Sequence, residues 1–335
     1  YNENLDVFVA KSLGKIDGEG IIVNRIPLFS QNLRLSLLFG NVNEAEYETT
    51  YARGFNQSLI VRQKIASNII NASLELTLLD ERLKLFISKG KSSMEFKGYE
   101  DKDGQSIPFS LATLHDVESE ITSLGFEVST KKNKNRFSPS FMIKPKLSYI
   151  EGRTAQSDIK IFDYLGSAHF PIFSSSKVVF YLQGSHAFIT NKDNTSADVV
   201  DGSCSSISNS SQRSKCLQLE SDLKDYIRAS NENGTAIPLG GNRGLRSYRE
   251  LRFKSAHNHL TGFEFQSLVF EKPEIHLVPF IELGHSNDQG SELLKSARYS
   301  SGIALRLYVK DIPVRLEAAT GNEGTEYFLS AGLPW

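Results

Sequence analysis

Cysteine, methionine and tryptophan are nearly absent: two, two and one in 335 residues. No stretch approaches the roughly eighteen consecutive apolar residues that a membrane-crossing helix requires, which excludes helical spans. An excess of positive charge is missing too. At a net charge of −1 the chain lacks the basic surface that phosphate backbones demand, so no nucleic-acid partner is expected. The opening YNENLD carries neither the basic nor the apolar region of a signal peptide, and the expectation is a mature or trimmed chain.

Enzyme signatures are equally sparse. His115, His169, His186, His257, His259, His276 and His285 are scattered, and the one H-x-H pair, His257 and His259, has no acid or cysteine set at metal-site spacing around it. Neither a phosphate-binding glycine loop nor a G-x-S-x-G elbow occurs. The expectation is a non-enzyme without cofactor or metal. Cys204 and Cys216 stand twelve positions apart in a serine-rich segment that offers no completing zinc ligands. A loop disulfide is favoured over two free thiols, and it would imply an oxidising compartment.

What the chain does have is alternation. From residue 20 onward, segments of about ten residues repeat with period two, the signature of half-buried strands. Leu33, Leu35, Leu37 and Phe39 share a face; after NVNE, read as a turn, Tyr47, Thr49 and Tyr51 do so again, which predicts a hairpin. Ile70, Ala72, Leu74, Leu76 and Leu78 alternate with Asn71, Ser73, Glu75 and Thr77, and Leu83, Leu85 and Ile87 oppose Arg82, Lys84 and Ser88. Phe137, Phe141, Ile143, Leu147 and Tyr149 oppose Ser138, Ser140, Lys144, Lys146 and Ser148, with Pro139 and Pro145 on the apolar face each expected to remove a ladder donor and make the pairing irregular. The pattern resumes near residue 263 and runs to the carboxyl end.

About sixteen strands of the length needed to cross a bilayer are counted, with twelve or fourteen possible. The fold expected is all-β, a transmembrane antiparallel β-barrel occupying residues 20–335, and it is preferred to a soluble sandwich. Residues 1–19 form a short amino-terminal segment, either a strand or an irregular tail.

Residues 190–257 interrupt the strands and are expected to form a long extracellular loop. Within it, Leu219, Leu223, Tyr226 and Ile227 fall on one side of a helix. That helix is either a lid over one barrel mouth or simply packed on its own loop. Next comes IPLGGNRGLRSYRE, residues 237–250, too polar for a strand and rich in glycine and arginine. Its glycines allow a tight fold that carries an arginine back into the barrel.

The carboxyl-terminal two hundred or so residues resemble the barrel of the BamA/TamA-like insertase superfamily, also called the bacterial surface antigen family. The family's loop motif stands here as Gly240, Gly241, Leu245, Arg246, Ser247 and Tyr248, with Ser247 in place of a glycine. Arg243 is an alternative register for the inserted arginine. The resemblance implies that Glu264, in GFEFQ, and Glu282, in FIELG, are lumen partners of that arginine. A carboxylate inside the barrel can form a bidentate pair with a guanidinium, whereas one facing lipid is costly. The alternation Tyr327, Leu329, Leu333 and Trp335 resembles the carboxyl-terminal signal by which such barrels are recognised for insertion. Residues 1–19 are too few for the POTRA modules that usually precede the family's barrels, so the expectation is a barrel without them.

By this resemblance the chain resides in the bacterial outer membrane, in contact with its lipid, and assists membrane-protein assembly, protein translocation or lipid movement, client outer-membrane proteins being its partners. The alternative is a passive pore or structural barrel without assembly machinery; a third reading is adhesion through residues 190–234.

Overall fold

A computed structural model describes residues 4–11, 16–49, 53–55, 61–100, 106, 117–130, 137–152, 157–192, 204–241, 244–309 and 312–331. The strands are β1 (Asn4–Lys11), β2 (Ile16–Leu28), β3 (Ser30–Thr49), β4 (Val61–Leu78), β5 (Leu83–Glu100), β6 (Val117–Ser129) and β7 (Ser140–Gly152). They continue with β8 (Asp158–Phe173), β9 (Ser176–Asn191), β10 (His257–Glu271), β11 (Glu274–Asn287), β12 (Arg298–Val309), β13 (Ile312–Gly321) and β14 (Gly324–Ala331). One helix, α1 (Ser210–Asn233), lies between β9 and β10. All fourteen strands form a single antiparallel sheet in chain order, each paired with its sequence neighbours. Among the described residues β1 and β14 do not pair, so closure of the sheet is not seen.

Among the described residues the count is fourteen, within the range allowed by the sequence but below its sixteen, and the NVNE segment explains part of the difference. It is not a turn: β3 runs unbroken through residues 41–44, and a register shift between Val42 and Ala45 against β4 absorbs the polar insertion. A bulge lets a strand carry extra residues without reversing, which sequence alternation alone cannot distinguish from a hairpin. With 20 residues in β3 and 18 in each of β4 and β5, these strands are longer than a bilayer crossing requires. The segment 1–19 contains β1, paired with β2, so the sheet begins inside it. At Pro145 the β6–β7 pairing lapses between Gly125–Lys146 and Val128–Ile143, as expected where a ladder donor is missing.

The two faces of the sheet are inverted relative to a water-soluble protein. Leu124, Ile143, Ile281, Leu305, Leu316 and Leu329 are exposed, and together with Leu85, Ile87, Phe126, Phe180 and Phe263 they give the outer face an apolar surface. The opposite face buries Ser123, Ser148, Ser185, Gln266, Arg306, Arg315 and Glu317. A sandwich would bury the first set and expose the second, so that reading is excluded. The arrangement is the one a bilayer selects, with apolar side chains toward lipid and polar ones toward the interior.

Long connections gather at one end of the sheet. There the β3–β4 connection reaches β11–β12: Arg53 Nε and Nη2 donate to Asp288 at 2.7–3.0 Å. Such a contact requires the sheet to curl until strands distant in its order face one another. Helix α1 starts at Asn209, whose side chain accepts from the amides of Ser211 and Gln212, and ends at Gly234. Cys204 and Cys216 are bonded, tying the preceding turn to the second turn of the helix. The helix does more than rest on its own loop. Ser157 donates to the Asn231 carbonyl, and the Tyr226 ring lies 5.8 Å from the Arg53 guanidinium.

Candidate functional site

The segment from Leu239 to Phe253 is a folded tongue. Its ends pair through reciprocal backbone bonds of 2.8 and 2.9 Å between Leu239 and Phe253, and the amide of Gly241 donates to the Tyr248 carbonyl at 2.9 Å. Gly240 and Gly241 stand at φ +110° and +98°, in a region closed to residues with a Cβ. A Cβ on Gly240 would also sit 2.4 Å from the backbone oxygen of Arg249, so that position needs glycine for space as well as for conformation. Ser247 has no positive φ; the left-handed non-glycine residues of the tongue are Leu245, at φ 58°, and Leu251, at φ 57°. The serine therefore costs the turn nothing in backbone strain.

The tongue packs inward on a small apolar cluster. Leu239, Leu245, Tyr248 and Phe253 join Val179 and Tyr181 of β9 and Leu260 of β10, with Phe55 from the β3–β4 connection against the group. Two glycines of the sheet make room for it. Leu245 methyls lie where a Cβ on Gly284 would come within 3.0 Å, and Ser247 Oγ lies 2.3 Å from the corresponding position on Gly321. Glutamate 323 holds the base through a two-pronged contact with Arg252, at 2.9 and 3.0 Å.

Arg246, at the tip, is fully buried. Its Nε donates to Glu282 at 3.0 Å, Nη1 to Glu317 at 2.8 Å, and Nη2 to Glu264 at 3.1 Å and to the Tyr181 hydroxyl at 3.0 Å. Its backbone amide donates to the second oxygen of Glu282 at 2.8 Å. The guanidinium lies 3.3 Å from the centre of the Phe280 ring. Around this core, Arg306 donates to Glu264 at 2.6 Å, Arg315 to Glu317 at 3.1 Å, and Tyr181 to Glu282 at 2.6 Å.

Three buried arginines thus face three buried glutamates, and the formal charges cancel. Burial opposes the Arg246 charge, but Glu282, Tyr181, Glu264 and Glu317 outweigh it and hold the guanidinium well above the usual arginine range. Glu264 is seven residues from the start of β10, which places the tip roughly 23 Å along the strand from the end where the loop enters. The tongue therefore reaches the middle of the interior.

Of the residues picked out in the sequence, Gly240, Gly241, Leu245, Arg246, Ser247, Tyr248, Glu264 and Glu282 come together here. Arg243 lies outside the described residues, as do Leu333 and Trp335. Tyr327 and Leu329 project from the outer face of β14, both exposed. Missing from the sequence reading as neighbours of the arginine were Glu317, Tyr181, Arg306 and Arg315; Phe280 stands in the FIELG pattern already noted, and the structure adds its ring against the guanidinium. Each carried a signal: a charged or aromatic side chain on the polar phase of a strand. Arg315 and Glu317, alternating with Val314, Leu316 and Ala318, are the clearest case.

A single curled antiparallel sheet, apolar outside and ionic within, defines an outer-membrane barrel fold. No family model matches the chain and no curated protein matches it. Among solved structures, CdiB from Acinetobacter baumannii matches 92% of this chain and 47% of its own, at 11% identity and a TM-score of 0.51. BamA from Haemophilus ducreyi lacking POTRA domains 1–3 matches over 94% and 61%, at 12% identity and a TM-score of 0.46. CdiB from Escherichia coli matches over 93% and 51%, at 9% identity and a TM-score of 0.47. The chain spans about half the length of the CdiB structures. At such identities the likeness is one of fold.

Proposed function

We propose that this chain is a bacterial outer-membrane barrel whose interior is occupied by an arginine-tipped tongue, and that it assists membrane-protein assembly, protein translocation or lipid movement. The observation that carries the reading is Arg246, buried at mid-depth and shared among three carboxylates from β10, β11 and β13. A network of this kind cannot exchange with solvent cheaply, because each group it frees is left charged and desolvated. The tongue therefore acts as a plug with a defined seat. Outer-membrane lipid is its surroundings and client outer-membrane proteins are its partners.

The competing reading, a passive pore, is separated by planar-bilayer recording of the whole chain. The plugged barrel gives low, flickering conductance that rises to larger and longer openings in Arg246→Ala. A steady large conductance in the unaltered protein, unchanged by that substitution, would establish the pore instead.

A further inference from the structure

Where the β3–β4 connection meets the end of β11 and the start of β12, a pocket of about 350 Å³ is lined by Arg53, Phe55, Asn287, Asp288, Ser296 and Arg298, among others. Its size lies in the range of small-molecule sites, roughly 300–1,000 Å³. Such sites are mostly apolar; this one is mostly polar, which suits a charged or hydroxylated ligand. Its two arginines differ in what they already hold. Arg53 Nε and Nη2 donate to Asp288 at 2.7–3.0 Å, Nη1 donates to Thr235 Oγ1 at 3.0 Å, and Nη2 also donates to the Gly234 carbonyl. Asp288 accepts from the Ala256 amide at 2.9 Å as well, so this pair is neutral and fully engaged.

Arg298 is different. Its one hydrogen bond among the described residues runs from Nη2 to the Phe55 carbonyl at 3.3 Å, and its guanidinium lies 5.3 Å from the centre of the Phe55 ring. No carboxylate among the described residues pairs with it. The pocket therefore carries one uncompensated positive charge, on a planar group whose donor fork matches an oxoanion. Two further donors stand beside it. Asn287 Oδ1 accepts from the Gln289 amide at 2.9 Å, which leaves its NH₂ to donate, and the Ser296 hydroxyl has no partner among the described residues. We propose that this pocket binds a phosphate group, free or carried by a sugar, with Arg298 as its charge partner and Asn287 and Ser296 as its neutral donors.

The position gives the site a consequence. Phe55 meets Phe253, at the base of the tongue, edge-on with ring centroids 4.9 Å apart, and the Gly54 amide donates to the Lys254 carbonyl at 2.9 Å. The β3–β4 connection thus rests on the root of the tongue, with the pocket between it and β12. A ligand that binds only when the connection is down stabilises that arrangement.

The test uses the full chain, folded in uncharged detergent micelles and titrated by calorimetry with inorganic phosphate, with glucose 1-phosphate and with glucose. Folding of each variant is verified by heat-modifiable gel mobility. Both anions should bind and glucose should not. Arg298→Ala and the longer Arg298→Gln should each weaken anion binding by about tenfold or more, the loss expected for a charge-assisted contact, and Asn287→Ala by about threefold. Lys84→Ala, on the open wall, should leave it unchanged. Equal affinity for the two anions would assign the site to the free ion, and tighter binding of glucose 1-phosphate would assign it to a phosphorylated sugar; either upholds the site. No anion binding by the unaltered protein, equal binding of glucose, or anion binding that survives the Arg298 substitutions would overturn it.

Discussion

The inner faces of β5–β8 and of β10–β13 are built on the same alternation, yet their charges live in different surroundings. On the first wall, Lys84 meets Glu127 at 2.8 Å with side chains 22% and 16% exposed, and Lys146 meets Asp163 at 2.8 Å with 35% and 15%. On the second, Arg246, Glu264, Glu282 and Glu317 are fully enclosed. The difference is the tongue, which covers one wall and leaves the other open to water. A charge pair in water contributes little, while a charge enclosed with its partners becomes costly to disturb. One wall is therefore a lining and the other a lock.

Breaking the lock should produce the largest effect. Arg246→Ala leaves three carboxylates buried without their shared cation, and about 3–5 kcal/mol of stability should be lost. Urea titration followed by the gel-mobility shift of the folded barrel measures it; a midpoint within error of the parent would mean that the network does not hold the tongue. Arg246→Lys should recover only part of that loss, because one ammonium cannot reproduce the planar fork that serves Glu282, Glu264 and Glu317 at once.

The seat of the tongue comes next. In Gly321→Val the new Cβ would fall 2.3 Å from Ser247 Oγ, forcing the tongue off the sheet at a cost of about 1–3 kcal/mol. Protease digestion of the folded protein in detergent micelles should then cut between residues 239 and 253, where the parent resists; equal resistance in the variant would show that the tongue has another place to rest. The smallest effect belongs to the open wall. Lys84→Ala removes a partly exposed pair and should change the urea midpoint by no more than about 1 kcal/mol equivalent. A loss comparable to that of Arg246→Ala would erase the distinction between the walls.

Much of this architecture could be read from the chain. Alternation located the strands of the second half and marked Glu264 and Glu282 as inward, because period two leaves no other face for them. The count of strands was less legible, since a bulge and a turn look alike where polar residues such as NVNE interrupt an apolar run. Glu317, Arg306 and Arg315 were visible as polar-phase charges, but nothing in their own segments distinguishes a solvated lining from a member of the lock. Lys84 and Glu127 have the same pattern and a different fate.

The order of residues alone specifies which side of each strand faces lipid, where the sheet is interrupted, and that the interruption carries an arginine on a glycine-rich turn. Those are local properties, set by period, propensity and the φ that Gly240 and Gly241 permit. That Arg246 reaches the centre, and that Glu317 and Tyr181 join its partners, became visible once the chain was folded. Each of those meetings depends on the curl and register of a sheet assembled from distant segments, and on how deeply one loop descends into it.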